Sequence, residues 1–189
     1  TTLQNLLPIS ARLAAATGDT PQLRLRATRA RHRVGVIQQQ LGQFEDAIAA
    51  LRQAVTMYEQ LDGLDAGGLD TEAVSKEAVV LELARLHNSI GSTRRMLNED
   101  ESARESHQTA LQLLGHPQSP EPRFELARTH YLLARRQRPG ESPGDSQLHI
   151  PKRGRMDRQV VHDQTQHVVS AIAELDSLIM ELPDEPRYR

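Results

Sequence analysis

Histidine and arginine carry most of the chemistry this chain could offer. Eight histidines stand among 189 residues, and neutral imidazole is the commonest transition-metal ligand. Their spacing does not build a site on its own: His162 and His167 lie about 140° apart around a helix, and no HExxH pair occurs. Arginine is more telling. Arg24, Arg26, Arg29, Arg31 and Arg33 follow one another with no acid from Pro21 to Val36. On a helix Arg26, Arg29 and Arg33 share a face, a basic stripe able to grip carboxylates in bidentate fashion. The acids Glu45-Asp46 and Glu99-Asp100-Glu101 sit where helices are expected to start, and there they stabilise the positive end of the dipole. With no GxSxG, P-loop or GxGxxG, nothing points to nucleophilic catalysis or nucleotide binding. The chain has no cysteine, which removes disulfides, thiolate metal sites and cysteine nucleophiles.

The elements that must hold these residues are helices. The composition is 38% hydrophobic but only 3% aromatic, without tryptophan; leucine, alanine, valine and isoleucine suit close helix packing better than sheets. A formal charge of −2 gives no global field for nucleic acid or anionic lipid. No apolar run approaches the roughly 20 residues that span a bilayer. Helical periodicity and punctuation by glycine and proline place helices near residues 2–17, 21–41 and 44–62, the second stopped by Gly42 and the third by Asp62-Gly63. Thr71 with Glu72 opens a helix to about Leu97, and another follows over 99–114. Pro120 or Pro122 opens a sixth to about Gln137, and a seventh covers 157–182. The stretch 138–156, rich in proline, glycine, serine and charge, is expected to be a mobile loop.

Internal repetition is visible in this sequence. Gly35, Ala47 and Ala54 recur as Gly91, Ala103 and Ala110, each displaced by 56 residues. Glu82-Leu83-Ala84-Arg85 recurs as Glu125-Leu126-Ala127-Arg128, and Glu121-Pro122-Arg123-Phe124 as Glu185-Pro186-Arg187-Tyr188. With small residues where two helices touch and Leu41-Gly42 with Phe44 at a turn, the chain resembles the tetratricopeptide-repeat family, whose unit is a helix-turn-helix of about 34 residues. Units fall near 28–61, 84–117 and 120–182. The second has Asn98 and Asp100 where a turn glycine and an aromatic residue are usual, and the third has the 138–156 loop in place of a short turn. The resemblance implies an all-α, antiparallel helix-hairpin array of about seven helices, an α-solenoid, as one domain over 1–189. The stretch PQSPEPRFELARTH from Pro117 and the terminal LIMELPDEPRYR from Leu178 look like repeat regions attached to bacterial serine/threonine kinases and to sigma-factor regulators. No kinase motif is present, so the chain is expected to be a non-catalytic, regulatory piece of a larger protein.

In the register of that family, first helices line a concave groove. The resemblance places Arg29, His32, Arg33, Arg85, Asn88, Arg95, Arg128, Tyr131 and Arg135 there, with another protein or an acidic peptide as partner, a domain of the parent chain among the candidates. The competing reading pairs these arginines with acids such as Glu82 and Glu125 on neighbouring turns. His87, His107 and His130 occupy core-facing places of the register, where hydrogen-bonded histidines are favoured over a three-histidine metal site. No cofactor or metal is expected, nor any membrane insertion by this segment. The compartment is expected to be the cytoplasm, or an extracytoplasmic one if the parent is a membrane-anchored kinase. The rival function is nucleic-acid binding through the 24–33 helix and the Lys152-Arg153-Arg155 loop, against which the scarcity of aromatics for base stacking argues.

Overall fold

A computed structural model describes residues 21–62, 75–135 and 158–188 of the chain, together with 7–9 and 11–12, and among these residues the protein is all-helical. The helices are α1 (Pro21–Gln40), α2 (Phe44–Asp62), α3 (Lys76–Met96), α4 (Asp100–Leu114), α5 (Pro120–Ala134) and α6 (Arg158–Glu181), followed by a 3-10 turn at Pro186–Tyr188. Of the helix expected over 2–17, residues 7–9 and 11–12 are described, and they are helical. The 138–156 loop and the Thr71-Glu72 start lie outside the described residues. Helix α3 is capped by Ser75, whose Oγ accepts from the Ala78 N–H at 3.1 Å, the position that satisfies an orphan donor of the first turn. Helix α5 ends at Ala134, because Arg135 turns extended (φ −67°, ψ 111°), three residues short of the expected end at Gln137.

The chain divides into two compact units, Thr1–Gly115 and His116–Arg189. In the first unit α1 packs on α2, α2 on α3 and α3 on α4; in the second, α5 packs on α6. The core of the first unit joins Leu25 of α1, Leu51, Ala54 and Tyr58 of α2, and Val79, Leu83, Leu86 and Ile90 of α3. Helix α2, with apolar residues on more than one side, is therefore covered from both flanks.

The α1–α2 and α3–α4 turns close in the same way, and the residues that allow it are 56 apart. Gly42 (φ 77°) and Asn98 (φ 61°) adopt the left-handed conformation. Around Gly42 the N–H of Gly42 reaches Gln39 O at 3.1 Å and that of Gln43 reaches Gln38 O at 2.9 Å; around Asn98, Asn98 N–H reaches Arg95 O at 3.1 Å and Glu99 N–H reaches Arg94 O at 3.0 Å. This is the paired closure that satisfies the last carbonyls of a helix. Asparagine stands in for glycine at the second turn because it tolerates positive φ better than most residues with a Cβ. Gln43 and Glu99 then accept, through their carbonyls, the N–H groups of Ala47 and Ala103, both at 2.9 Å, so each turn feeds directly into the next helix.

The hairpins are drawn tight at their glycines. A Cβ on Gly35 would lie 2.6 Å from Leu51 Cγ and 3.2 Å from the Ala47 carbonyl; one on Gly91 would lie 2.6 Å from the His107 ring. Ala47, Ala54, Ala103 and Ala110 are all fully buried, and each is small because the facing helix is close. In the second unit Arg123 ties the start of α5 to the end of α6, donating through Nε to Glu174 (3.3 Å), through Nη1 to Glu181 (2.6 Å) and through Nη2 to Ser177 (2.8 Å).

The left-handed turn at Asn98 sets an expectation for stability. Asn98→Ala is expected to lower it by about 1 kcal/mol, since alanine loses asparagine's tolerance of that conformation, while Asn98→Gly is expected to hold or raise it. Urea unfolding with an unchanged m-value checks both.

Candidate interaction site

The expected groove residues of the first unit start from two helix faces. Arg29, His32 and Arg33 lie on α1 within one turn of each other, and Arg85 lies on α3, one turn after Glu82. The two helices touch, and between them Glu82 becomes the hub. Arg85 Nη1 donates to Glu82 Oε1 at 2.8 Å, and His32 Nδ1 stands 3.7 Å from Glu82 Oε2. The His32 contact is the main force holding the Glu82 carboxyl below its usual value; burial pushes the other way and Arg85 adds to the lowering. The fully buried Tyr58 of α2 lies within electrostatic reach of Glu82, Arg29 and Arg85. Burial, reinforced by Glu82, pushes that phenol up to about 12, while Arg29 beside it and Arg85 pull it down.

Thus the structure brings together Arg29, His32 and Arg85, and joins to them Glu82 and Tyr58. The spacing of Tyr58 assigns it only to the apolar face of its helix, and its phenol tip was not legible as part of a charged cluster. Arg33 is exposed on α1 and Arg95 is half-buried on α3. Asn88 is a correction. Expected on the groove surface, it is fully buried and its Oδ1 meets His107 Nδ1 at 3.1 Å. A polar ring packed into the slot above Gly91 needs a polar partner, and Asn88 is placed to be one.

In the second unit Arg128 Nη1 donates to Glu125 Oε1 at 2.9 Å, the same i,i+3 arrangement as Glu82 with Arg85. The competing pairing of arginines with acids of their own helix is therefore present at both positions, and these two guanidiniums meet a carboxylate before any partner arrives. Glu125 is buried whereas Arg128 is exposed, so the pair shows its cationic end. Tyr131 and Arg135 are exposed beyond it.

The histidines separate into different local roles. His87 lines a cleft among α2, α3 and α4, His107 is locked on Asn88, and His130 pairs with His167, their Nδ1 atoms 3.0 Å apart and ring centroids 5.2 Å apart. Among the described residues no group of three or more histidines or acids is arranged to hold a metal ion. At 3.0 Å one Nδ1 must donate and the other accept, so the pair has no room for two protons at that contact. Burial first, then the His167 charge, holds His130 below the usual 6.5, with Glu174 opposing.

Two pH effects follow from these clusters. Glu82 has the lower pKa in the folded state, so its contribution is present above 4.5 and is lost as pH falls through the folded value. Glu82→Gln is expected to cost about 1–2 kcal/mol at pH 7, with the difference fading toward pH 3 in urea titrations run across that range. His130 is likewise lowered, so its contribution is present above 6.5 and declines as pH falls through the folded value. Imidazole NMR titration is expected to show His130 titrating below 6.5, and moving upward in His167→Gln.

Compared with protein-family models, with curated proteins and with solved structures, the chain matches none of them.

Proposed function

We propose that this chain is a non-catalytic helical scaffold that binds another protein, of the tetratricopeptide-repeat kind, through the exposed faces of its first helices. The observation that carries the reading is the Arg29–His32–Glu82–Arg85 cluster. Side chains from two successive first helices meet at one surface, with the Glu82 carboxylate between His32 and Arg85 and the Tyr58 phenol within the electrostatic reach of Glu82, Arg29 and Arg85. Rigid display of this sort lowers the entropy lost on binding, because the recognition groups are already positioned. Support for the hairpin-array reading comes from the recurrence of the same turn closure at Gly42 and Asn98 and the same close approach at Gly35 and Gly91.

Glu82 changes what the partner should look like. Arg85 is partly neutralised, whereas Arg29 and Arg33 make no ion pair among the described residues, so the cationic pull of this face belongs chiefly to α1. The partner we infer is acidic, with its carboxylates near Arg29 and Arg33 and a polar contact at the His32–Glu82–Arg85 edge. A regulatory place in a bacterial signalling or transcription-controlling protein is part of this proposal. It rests on the resemblance of the 117–130 and 178–189 segments alone.

A second reading keeps one observation in its favour. Arg24, Arg26, Arg29 and Arg33 are all exposed along α1, a line of cations that phosphates could follow. The Lys152-Arg153-Arg155 loop that would extend it lies outside the described residues. A gel shift with single-stranded and duplex nucleic acid across a salt series separates the two readings.

The experiment is an affinity series on the partner captured from a native lysate, measured at low and high salt. Arg29→Glu and Arg85→Glu are each expected to weaken binding at least tenfold, about 1.4 kcal/mol. Arg104→Glu on α4 is expected to leave it unchanged, with circular dichroism melts confirming that each variant is folded. Equal affinity for all three would remove the first-helix face from the interaction.

A further inference from the structure

Helices α2, α3 and α4 enclose an open cleft of about 420 Å³, and its lining differs in kind from the paired cluster on the other side of α3. Arg52, His87 and Arg94 bring it two guanidiniums and an imidazole, while Val55 and Ile90 supply an apolar wall. We propose that this cleft binds a carboxylate carried on a short aliphatic stem.

Arg94 is the residue that makes the cleft a built site. Its side chain is only 17% exposed, and Nη1 donates to Ser102 O at 2.8 Å and to Ser106 Oγ at 3.1 Å. Those acceptors are neutral. They fix the plane of the guanidinium and leave its charge in place, and the carboxylate that approaches it, Glu99, reaches only 4.0 Å from Nε and is half exposed. Arg85 and Arg128, by contrast, meet carboxylates at 2.8 and 2.9 Å. A fixed, largely buried and weakly compensated guanidinium in a cleft that a second one, Arg52, also lines suits bidentate carboxylate recognition.

The remaining polar groups specify what surrounds the carboxylate. Thr56, Ser106 and Thr109 each donate their hydroxyl proton to a backbone carbonyl four residues back, at 3.3, 2.9 and 3.0 Å. What these hydroxyls offer a ligand is therefore lone pairs, and Glu105 adds a carboxylate acceptor. Acceptors next to cations suit a ligand whose carboxylate is flanked by N–H donors, as in an acidic residue of a peptide or a free acidic amino acid. His87 reports on occupancy. Burial holds its pKa below the usual value; Glu59 of α2 opposes this and Arg94 adds to it. Arg52 of α2 and Glu105 of α4 share the cleft with it. A bound carboxylate would raise that pKa, so binding is expected to strengthen from pH 7 to 6.

The site stands apart from the first-helix reading. At about 100° per residue Arg85 and Arg94 fall on opposite faces of α3, so failure of one leaves the other in place. The test is NMR titration of the His87 ring at low ionic strength with glutarate, with glutamate and with acetyl-Ala-Glu-Ala-amide, inorganic phosphate serving as comparator. A saturable His87 shift with a carboxylate probe is expected, together with a raised His87 pKa at saturation. Affinity is expected to fall at least tenfold in Arg94→Met and measurably in Arg52→Ala, which is exposed and keeps the test open should Arg94→Met fail to fold. Tighter binding of the capped tripeptide assigns the carboxylate to a peptide, and tighter binding of a free acid to a small molecule. The proposal is overturned by no saturable shift with any carboxylate, by a response to phosphate alone, or by unchanged affinity in the folded variants.

Discussion

The close approach of paired helices at Gly35 and Gly91 is the constraint from which the first unit follows. Without a Cβ at these two positions, Leu51 and His107 can lie directly on the facing backbone. Helices that near to one another leave room only for small side chains at the next contacts, which Ala47, Ala54, Ala103 and Ala110 provide. The consequence differs between the hairpins because the packed residues differ. Leu51 needs nothing beyond apolar neighbours. His107 brings a ring with polar edges into a buried slot, where an unmet polar group costs about twice the net worth of a typical hydrogen bond. Asn88 meets it, and is thereby withdrawn from the surface. One polar substitution in a contact position thus removes a neighbouring residue from any binding face.

Charge is arranged by the same economy of burial. Glu82 and Glu125 are shielded enough that each takes an arginine three residues on, and Glu82 also takes His32 from the adjacent helix. An ion pair on one helix contributes only a few tenths of a kcal/mol when solvated, but a partly buried carboxylate left alone is much costlier. These pairs are accordingly structural necessities first. Arg29 and Arg33 on the surface of α1 make no ion pair among the described residues, and Arg94 in its cleft meets a carboxylate only at 4.0 Å.

Much of the helical layout was legible because punctuation is local. Gly42 ends α1, Pro120 opens α5, and the 56-residue recurrence marks the contact positions that the structure packs tightly. The sequence reading opens α3 at Thr71, outside the described residues, and the described helix begins at Lys76 behind its Ser75 cap. The arginine stripe and its alternative pairing were both legible, since each depends on spacing along one helix. That the pairing forms at Arg85 and Arg128 follows from glutamates that are themselves buried or half-buried, a tertiary quantity. Asn88 was misplaced for the related reason that a surface register says nothing about a histidine nineteen residues away.

The cleft shows the same limit from the other side. His87, Ile90 and Arg94 share one face of α3 by helical spacing, but Arg52 comes from α2, and its relation to them exists only once α2, α3 and α4 are packed. Ser102 and Ser106 look in sequence like ordinary helix-interior serines, whose hydroxyls turn back on their own backbone. The fold gives them a second use, since the carbonyl of one and the hydroxyl of the other hold Arg94 without cancelling its charge. A helix that pairs its arginine with a carboxylate on one face and leaves another supported by neutral acceptors on the opposite face has two electrostatic characters. Packing, which sets the acceptor each guanidinium finds, is what separates them.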